Sequence, residues 1–198
     1  MARFAKYTGV FFAVSMSLFH LYTGGFGSLD PWTQRVVHLS LGLVVAFLSY
    51  PALKGKEIGL FDIVLSLLSI LSGLYILINM DAIIDRAGMP SKWDVFFGLL
   101  TIGLVLEMTR RVIGLPLVVV ALVFLFYAYF GPYLPSTIAH KGYDPERIAA
   151  HMYTTLEGIY GIPIGVSATF VILFVIFGAF LEATKTGDFF INCEWYCG

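Results

Sequence analysis

Charged residues are scarce in this sequence. Asp, Glu, Lys and Arg make up 13% of the 198 residues, whereas hydrophobic residues make up 59%. Soluble domains carry about 25% charged residues, so a surface that faces water on all sides is excluded. The formal net charge is −1, which gives no indication of nucleic acid binding.

The sequence also has few cysteines and no pair of histidines at the spacing of metal ligands. The two cysteines, Cys193 and Cys197, lie in the last six residues, so the body of the chain has no disulfide framework and no thiolate metal site. None of the four histidines is placed at ligand spacing from another. A Gly-rich phosphate loop, a Ser/His/Asp set and a carboxylate pair at catalytic spacing are missing as well. We therefore predict no catalytic residue, no metal, no cofactor and no enzymatic activity.

Long apolar runs dominate what is present. A membrane-spanning helix needs roughly 20 mostly apolar residues, and the runs are continuous rather than alternating, which excludes a β-barrel. We predict an all-α integral membrane protein with about six transmembrane helices. The first run follows a basic start but lacks a clean cleavage site, so it is interpreted as a retained helix. The predicted spans are 7–23, 35–53, 59–80, 94–109, 112–130 and 162–183.

The basic residues set the predicted orientation. Cytoplasmic loops of membrane proteins are enriched in Lys and Arg, and the two closest basic pairs, Lys54/Lys56 and Arg110/Arg111, fall on the same side of the predicted membrane. We therefore expect a multi-pass membrane protein with its N-terminus in the cytoplasm.

Residues 144–157 have a different pattern. Asp144-Pro145 is a helix-start signal, and apolar residues after it fall on one helical face. This predicts a short amphipathic helix in the outer interface. The alternative is an ordinary loop helix packed on protein.

Glu107, Arg110 and Arg111 are candidate structural or orienting residues. Spacings of three and four place the carboxylate beside both guanidinium groups. Arginines at a cytoplasmic helix end match the helix dipole and the anionic lipid surface. A substrate-binding role for either arginine has no second group nearby in the sequence to support it.

Asp62 and His20 complete the set of candidates. Asp62 lies near the start of the third span, where we expect it to cap the helix or to pair with Lys54 or Lys56. His20 lies within a stripe of small residues on the first span, which favours a hydrogen-bonded packing histidine over a proton relay. His38, near the start of the second span, is expected at the interface.

The second half of the chain resembles a known family. Residues 106–114 (LEMTRRVIG) resemble the LE-x-x-RR-x-x-G signature of fused TRAP (tripartite ATP-independent periplasmic) transporter permeases. Residues 126–135 (FYAYFGPYLP) are similar to that family's YAxxGPYLP segment, and residues 157–169 and 174–181 resemble the start of its large membrane domain. Residues 1–93 agree only in hydropathy.

The resemblance implies a fusion of small and large membrane subunits, of the kind paired with TAXI-type binding proteins. It divides the chain into a small-subunit-like four-helix region (1–111), a linking helix (112–135), the start of the large domain (136–191) and an atypical tail (192–198). The composition of the tail indicates a truncated or frameshifted reading frame, and the alternative is a native short tail. No pair of interrupted helices of the kind that binds substrate in secondary transporters is visible.

The resemblance also implies a function, partners and a location in a bacterial or archaeal cytoplasmic membrane. Such permeases are similar to sodium-driven secondary transporters of organic acids, so sodium is the implied coupling ion. The expected partners are a periplasmic solute-binding protein, the remainder of the large permease domain and the lipid bilayer. In this interpretation the chain is a scaffold without the substrate site. The alternative function is a stand-alone membrane adaptor that assembles a partner complex.

Overall fold

The computed structural model describes residues 2–27, 29–52, 57–86 and 88–186. Within these ranges the regular structure is helical and no strand occurs, which confirms the all-α prediction. The eight α-helices are α1 (Ala2–Phe26), α2 (Pro31–Ser49), α3 (Leu60–Asp85), α4 (Lys92–Val112), α5 (Leu115–Phe130), α6 (Pro145–Tyr153), α7 (Ile162–Val166) and α8 (Ile172–Ala183).

Among the described residues, five segments are long and apolar enough to cross a membrane: Tyr7–Phe26, Pro31–Ser49, Leu60–Asp85, Leu115–Tyr133 and Ile162–Ala183. The last segment joins α7 and α8 through a π-helical turn, Ser167–Val171, and we call the whole segment the distal span. The fourth predicted span, 94–109, corresponds to α4, which is too rich in charge to qualify by composition. Its 21 residues are nevertheless about 31 Å long at 1.5 Å per residue.

Local sequence signals account for the helix starts. The Asp30 carboxylate accepts a hydrogen bond from the Thr33 backbone at 2.9 Å, and Pro31 occupies the first helical position of α2. Ser91 and Asp94 form a reciprocal capping box at the start of α4. Between α4 and α5, Gly114 has a φ of 115°, a conformation in which a side chain would be strained. The RR-x-x-G string thus ends one helix and begins the next.

Helices α1 to α4 form a bundle in which α2 and α3 pack closely. A Cβ atom on Gly73 of α3 would collide with Ser40 of α2, so a small residue is required at this crossing. Three apolar clusters occur in the described part of the bundle. The first contains Leu43, Phe47, Leu104 and Met108, the second contains Trp32, Val36, Ile76, Ile83, Tyr153 and Tyr160, and the third contains Ala5, Val44 and Leu48. By contrast, α5 has no buried residue.

Helix α6 packs on protein, as the second of the two interpretations of residues 144–157 predicts. Ala149 is fully buried, and a Cβ atom on Gly98 of α4 would lie 2.8 Å from the Ala149 carbonyl oxygen. Tyr153 from α6 and Tyr160 from the following turn both enter the apolar cluster between α2 and α3. The segment before the distal span is therefore an integral part of the bundle.

Candidate functional site

Four charged side chains join α2, α3 and α4 at the end of the bundle where α4 finishes. Nη1 of Arg111 lies 2.6 Å from Oδ1 of Asp62, and Nε of Arg111 lies 2.8 Å from Oε1 of Glu107. Arg110 donates two hydrogen bonds of 2.8 Å to the two oxygens of Glu107. We call these residues the ionic cluster.

Burial divides the ionic cluster into two unlike halves. The side chains of Arg111 and Asp62 are 1% and 3% exposed, whereas that of Arg110 is 40% exposed. The Arg111 guanidinium also donates to the Tyr50 carbonyl at 2.8 Å and lies 4.9 Å from the ring centroid of the fully buried Phe47. An arginine enclosed in this way fixes the relative positions of three helices.

The structure brings together four of the five sequence-predicted candidates. The i,i+3 and i,i+4 pairs of Glu107 follow from helical spacing, and Asp62 caps α3 by accepting from the Gly59 backbone at 2.9 Å. The ion-pair partner of Asp62 is Arg111; the alternative partners, Lys54 and Lys56, lie outside the described residues. The expected contact of both arginines with the lipid surface is wrong for Arg111, because that side chain is directed into the bundle.

The fifth candidate, His20, belongs to a second polar group. His20 and His38 are 1% and 8% exposed, and Nε2 of His20 lies 3.0 Å from Nδ1 of His38. The two rings meet although they are 18 residues apart in the sequence, and the interfacial placement expected for His38 is wrong because its side chain is buried between helices. Nε2 of His38 lies 3.0 Å from Oγ of Ser167 in the distal span.

A backbone carbonyl sets the direction of this hydrogen-bond chain. Nδ1 of His20 lies 2.7 Å from the Met16 carbonyl oxygen, which can only accept, so this nitrogen carries hydrogen. In the neutral form, Nε2 of His20 then accepts from His38, and Nε2 of His38 accepts from Ser167. Every ring nitrogen has a partner. The chain ends on a carbonyl that cannot take up a proton, so the geometry fits a packing role for His20 better than a relay.

Gln34 and Arg35 extend the contact between α2 and the distal span. Nε2 of Gln34 donates to the Ala168 carbonyl at 3.0 Å, and Nη1 of Arg35 donates to the Tyr160 carbonyl at 2.8 Å. We call Gln34, Arg35, His38 and their partners the α2–span contact. Neither residue was among the candidates predicted from the sequence.

Tyr153 anchors α6 in the bundle. Its hydroxyl donates to the Ser72 carbonyl at 2.6 Å, and the Ser72 hydroxyl contacts the hydroxyl of Thr101 on α4. Burial raises the pKa of Tyr153 far above the ordinary tyrosine value. The hydroxyl therefore stays protonated and continues to donate.

A cavity of about 680 Å³ opens at the opposite end of the bundle from the ionic cluster. Helix α6 and the α3–α4 connection line it with charges of both signs, among them Arg86, Asp94, Glu146 and Arg147. Asp94 is neutralised by Arg86 at 3.4 Å and accepts from the Tyr75 hydroxyl at 2.6 Å. No group of three or more metal-ligating side chains occurs in the described part of the chain.

Comparison with known proteins identifies the second half of the chain. Residues 100–197 match the model of the tripartite ATP-independent periplasmic transporter, DctM component. Residues 100–197 belong to the TRAP transporter permease family. No curated protein and no solved structure matches the chain. The TRAP match includes residues 192–197 of the tail, which lie outside the described residues.

The TRAP permease match covers the four sequence strings that carried the resemblance. It contains Glu107, Arg110 and Arg111 of the ionic cluster, whereas Asp62, the partner of Arg111, precedes it. Similarly, Ser167 and Ala168 lie within the match, and His38 and Gln34 lie before it. Both polar groups therefore connect the TRAP segment to the preceding helices. As a TRAP permease with five apolar spans, the chain is a multi-pass inner-membrane component of a secondary transporter.

Proposed function

We propose that this chain is the scaffold part of a sodium-driven TRAP transporter for organic acids. In this proposal residues 1–111 act as the small-subunit-like bundle, residues 112–135 link it to the large domain, and residues 136–191 begin that domain. The N-terminus lies in the cytoplasm, so the ionic cluster is at the inner end and the cavity of about 680 Å³ opens outward.

The α2–span contact is the observation that carries the proposal. Secondary transporters move one body against another around a bound solute, and the stationary body must hold its helices firmly. Side chains of α2 form three separate hydrogen bonds, two to Ser167 and Ala168 of the distal span and one to the Tyr160 carbonyl just before it. Because the Gln34 and His38 side chains are buried, these bonds favour a fixed rather than a sliding junction.

The outer cavity supports docking of a periplasmic solute-binding protein. Its rim offers Glu146 and Arg147 for interprotein pairing, and neither forms an ion pair among the described residues. Mixed charges at a rim steer association and orient a partner more than they add affinity. The remainder of a large permease domain is the second partner in this proposal, and it would contribute the substrate and sodium sites.

A transport assay tests the scaffold role. Proteoliposomes that contain only this chain and a binding protein are expected to show no sodium-dependent uptake of a labelled organic acid such as succinate. Robust uptake would contradict the proposal, because a scaffold that lacks the substrate site cannot transport the acid on its own. Purification of the chain with an unrelated complex would instead support the adaptor function.

A distance measurement tests the rigidity of the scaffold in the assembled permease. Spin labels are placed on two exposed residues, Leu67 of α3 and Phe174 of α8. The expected result is one interlabel distance, unchanged when sodium, organic acid and binding protein are added. A shift of the distance distribution on their addition would show that the distal span moves, and would contradict the proposed role.

A further inference from the structure

Arg35 contributes a positive charge near the outer end of α2, and it has no acidic partner in the part of the chain that the structure describes. It lies four residues after Pro31, about 6 Å along the helix. Its one hydrogen bond among the described residues is the 2.8 Å bond to the Tyr160 carbonyl. A guanidinium carries five N–H donors, so most of its binding capacity is unused. The nearby Asp30 carboxylate instead caps α2 through the Thr33 backbone.

The distal span makes room for this guanidinium. A Cβ atom on Gly165 would lie 2.8 Å from Nε and 2.9 Å from Cζ of Arg35. Any larger residue would therefore force the guanidinium away from the helix. A neutral donor could make the same hydrogen bond to the Tyr160 carbonyl. An unpaired cation at the edge of a bilayer is costly in free energy. The bond to Tyr160 therefore does not explain why a charged side chain occupies this position.

A cavity of about 270 Å³ lies beside Arg35, between α2 and the distal span. None of the described residues that line it is acidic. Leu29, Ile162 and Phe170 form its apolar wall, while Gln34 and Thr169 add polar groups. A liquid water occupies about 30 Å³, so the cavity has room for several waters or for a small anionic group.

Gln34 supplies a second indication of a ligand. Its side chain is 3% exposed, and its Oε1 atom has no hydrogen-bond partner among the described residues. The amide orientation is fixed, because Nε2 donates to the Thr23 hydroxyl and to the Ala168 carbonyl. Buried polar atoms are nearly always satisfied. Gln34 lines the same cavity as Arg35, so this pair of residues suits an anion that also carries an O–H or N–H group, or a hydrating water.

We propose that the cavity beside Arg35 binds a carboxylate or phosphate group, with the Arg35 guanidinium as its charged partner. The planar fork of arginine matches the paired oxygens of both groups. Two sources offer this chemistry: a small soluble anion, or the phosphate of an outer-leaflet phospholipid whose chains lie on the apolar wall. This site is independent of the scaffold role, since its occupancy is measured by binding and not by transport.

The experiment has one arm for each source, both on the full chain purified in a nonionic detergent. Calorimetric titration with lactate and with inorganic phosphate tests soluble anions. Native mass spectrometry with phosphatidylglycerol, against a diacylglycerol with the same chains, tests the phospholipid. We expect saturable binding in at least one arm. Binding of the free anions alone assigns a soluble ligand, and retention of phosphatidylglycerol over diacylglycerol assigns a lipid.

Matched variants decide whether Arg35 is responsible. Arg35→Gln keeps a donor for the Tyr160 carbonyl but removes the charge, so it should weaken binding at least tenfold. Lys141→Gln, which removes an exposed cation of the loop before α6, should change binding less than twofold. Val166→Trp fills the cavity without altering the Arg35–Tyr160 bond, and should abolish binding even if Arg35→Gln fails to fold. Absence of binding in both arms, or equal losses in Lys141→Gln, would overturn the proposal.

Discussion

The two neighbouring arginines of the ionic cluster provide a matched test of its energetics. Arg111→Met removes a guanidinium that is 1% exposed and leaves Asp62 as a buried, unpaired carboxylate. Breaking a buried pair in this way costs about 3–5 kcal/mol. Arg110→Met makes the same chemical change one residue away, at a side chain that is 40% exposed, where a pair contributes about 0–1 kcal/mol.

The assay is equilibrium unfolding of the purified chain in mixed micelles titrated with sodium dodecyl sulfate, followed by tryptophan fluorescence. The folding equilibrium constant is expected to fall on the order of a hundredfold or more for Arg111→Met, since about 1.4 kcal/mol corresponds to a factor of ten. For Arg110→Met it should fall less than about tenfold. Equal losses of stability in the two variants would refute the assignment of Arg111 as the central residue of the cluster.

A double variant separates the ion pair from the helix cap. Asp62→Asn combined with Arg111→Met removes both charges, but it retains a side-chain oxygen for the Gly59 backbone. The double variant should therefore be more stable than Arg111→Met alone, because no isolated charge remains buried. A double variant less stable than either single variant would show that the cost lies in lost packing against Phe47 instead.

Three further predictions concern the remaining polar and close contacts, each measured by the same unfolding assay. His38→Leu should lower the free energy of unfolding by about 1–3 kcal/mol, because it leaves buried partners unsatisfied. Adding His20→Leu should restore part of that loss. Strictly additive losses would contradict the hydrogen-bond chain. Tyr153→Phe should cost about 0.5–1.5 kcal/mol, and an unchanged stability would show that its hydroxyl is not needed. Gly98→Val should cost about 1–3 kcal/mol by displacing α6, whereas Gly103→Val, with open space around it, should be nearly neutral.

Local features of the fold were predictable from the sequence because their causes lie within one or two helical turns. The apolar runs give the spans, Asp30-Pro31 gives the start of α2, and the spacing of Glu107 from the two arginines gives their pairing. In each case the interacting groups are close along the chain, so helix geometry alone fixes their distance.

Contacts between helices were harder to predict, because they depend on how far two spans are shifted relative to each other along the bundle axis. Even so, a simple signal was present. In a helical hairpin, residues equidistant from the turn lie at the same level. His20 and His38 are each nine residues from Leu29, in the α1–α2 connection. The pairs Asp62/Arg111 and Ser72/Thr101 share a midpoint just after Arg86, in the α3–α4 connection.

The α2–span contact offered no comparable signal. Gln34 and Arg35 bind residues 134 and 125 positions away, and helices α3 to α6 lie between them along the chain. The partner atoms are backbone carbonyls, which every residue possesses, so the sequence does not single them out. The burial of α6 was open for a related reason, since an amphipathic face fits a membrane surface and a protein surface equally well.

The π turn at Ser167–Val171 has a consequence for the helix that follows. Such a turn contains one residue more than an α-helical path of the same rise, and each residue of an α-helix rotates by about 100°. The extra residue therefore resets the angular phase of α8 relative to α7. The side of the distal span that contacts α2 at Ser167 and Ala168 does not continue along α8, which buries no residue of its own. Deleting a single residue within the turn would rotate α8 about its own axis by about 100°, more than a quarter of a revolution. Different side chains of α8 would then face its neighbours.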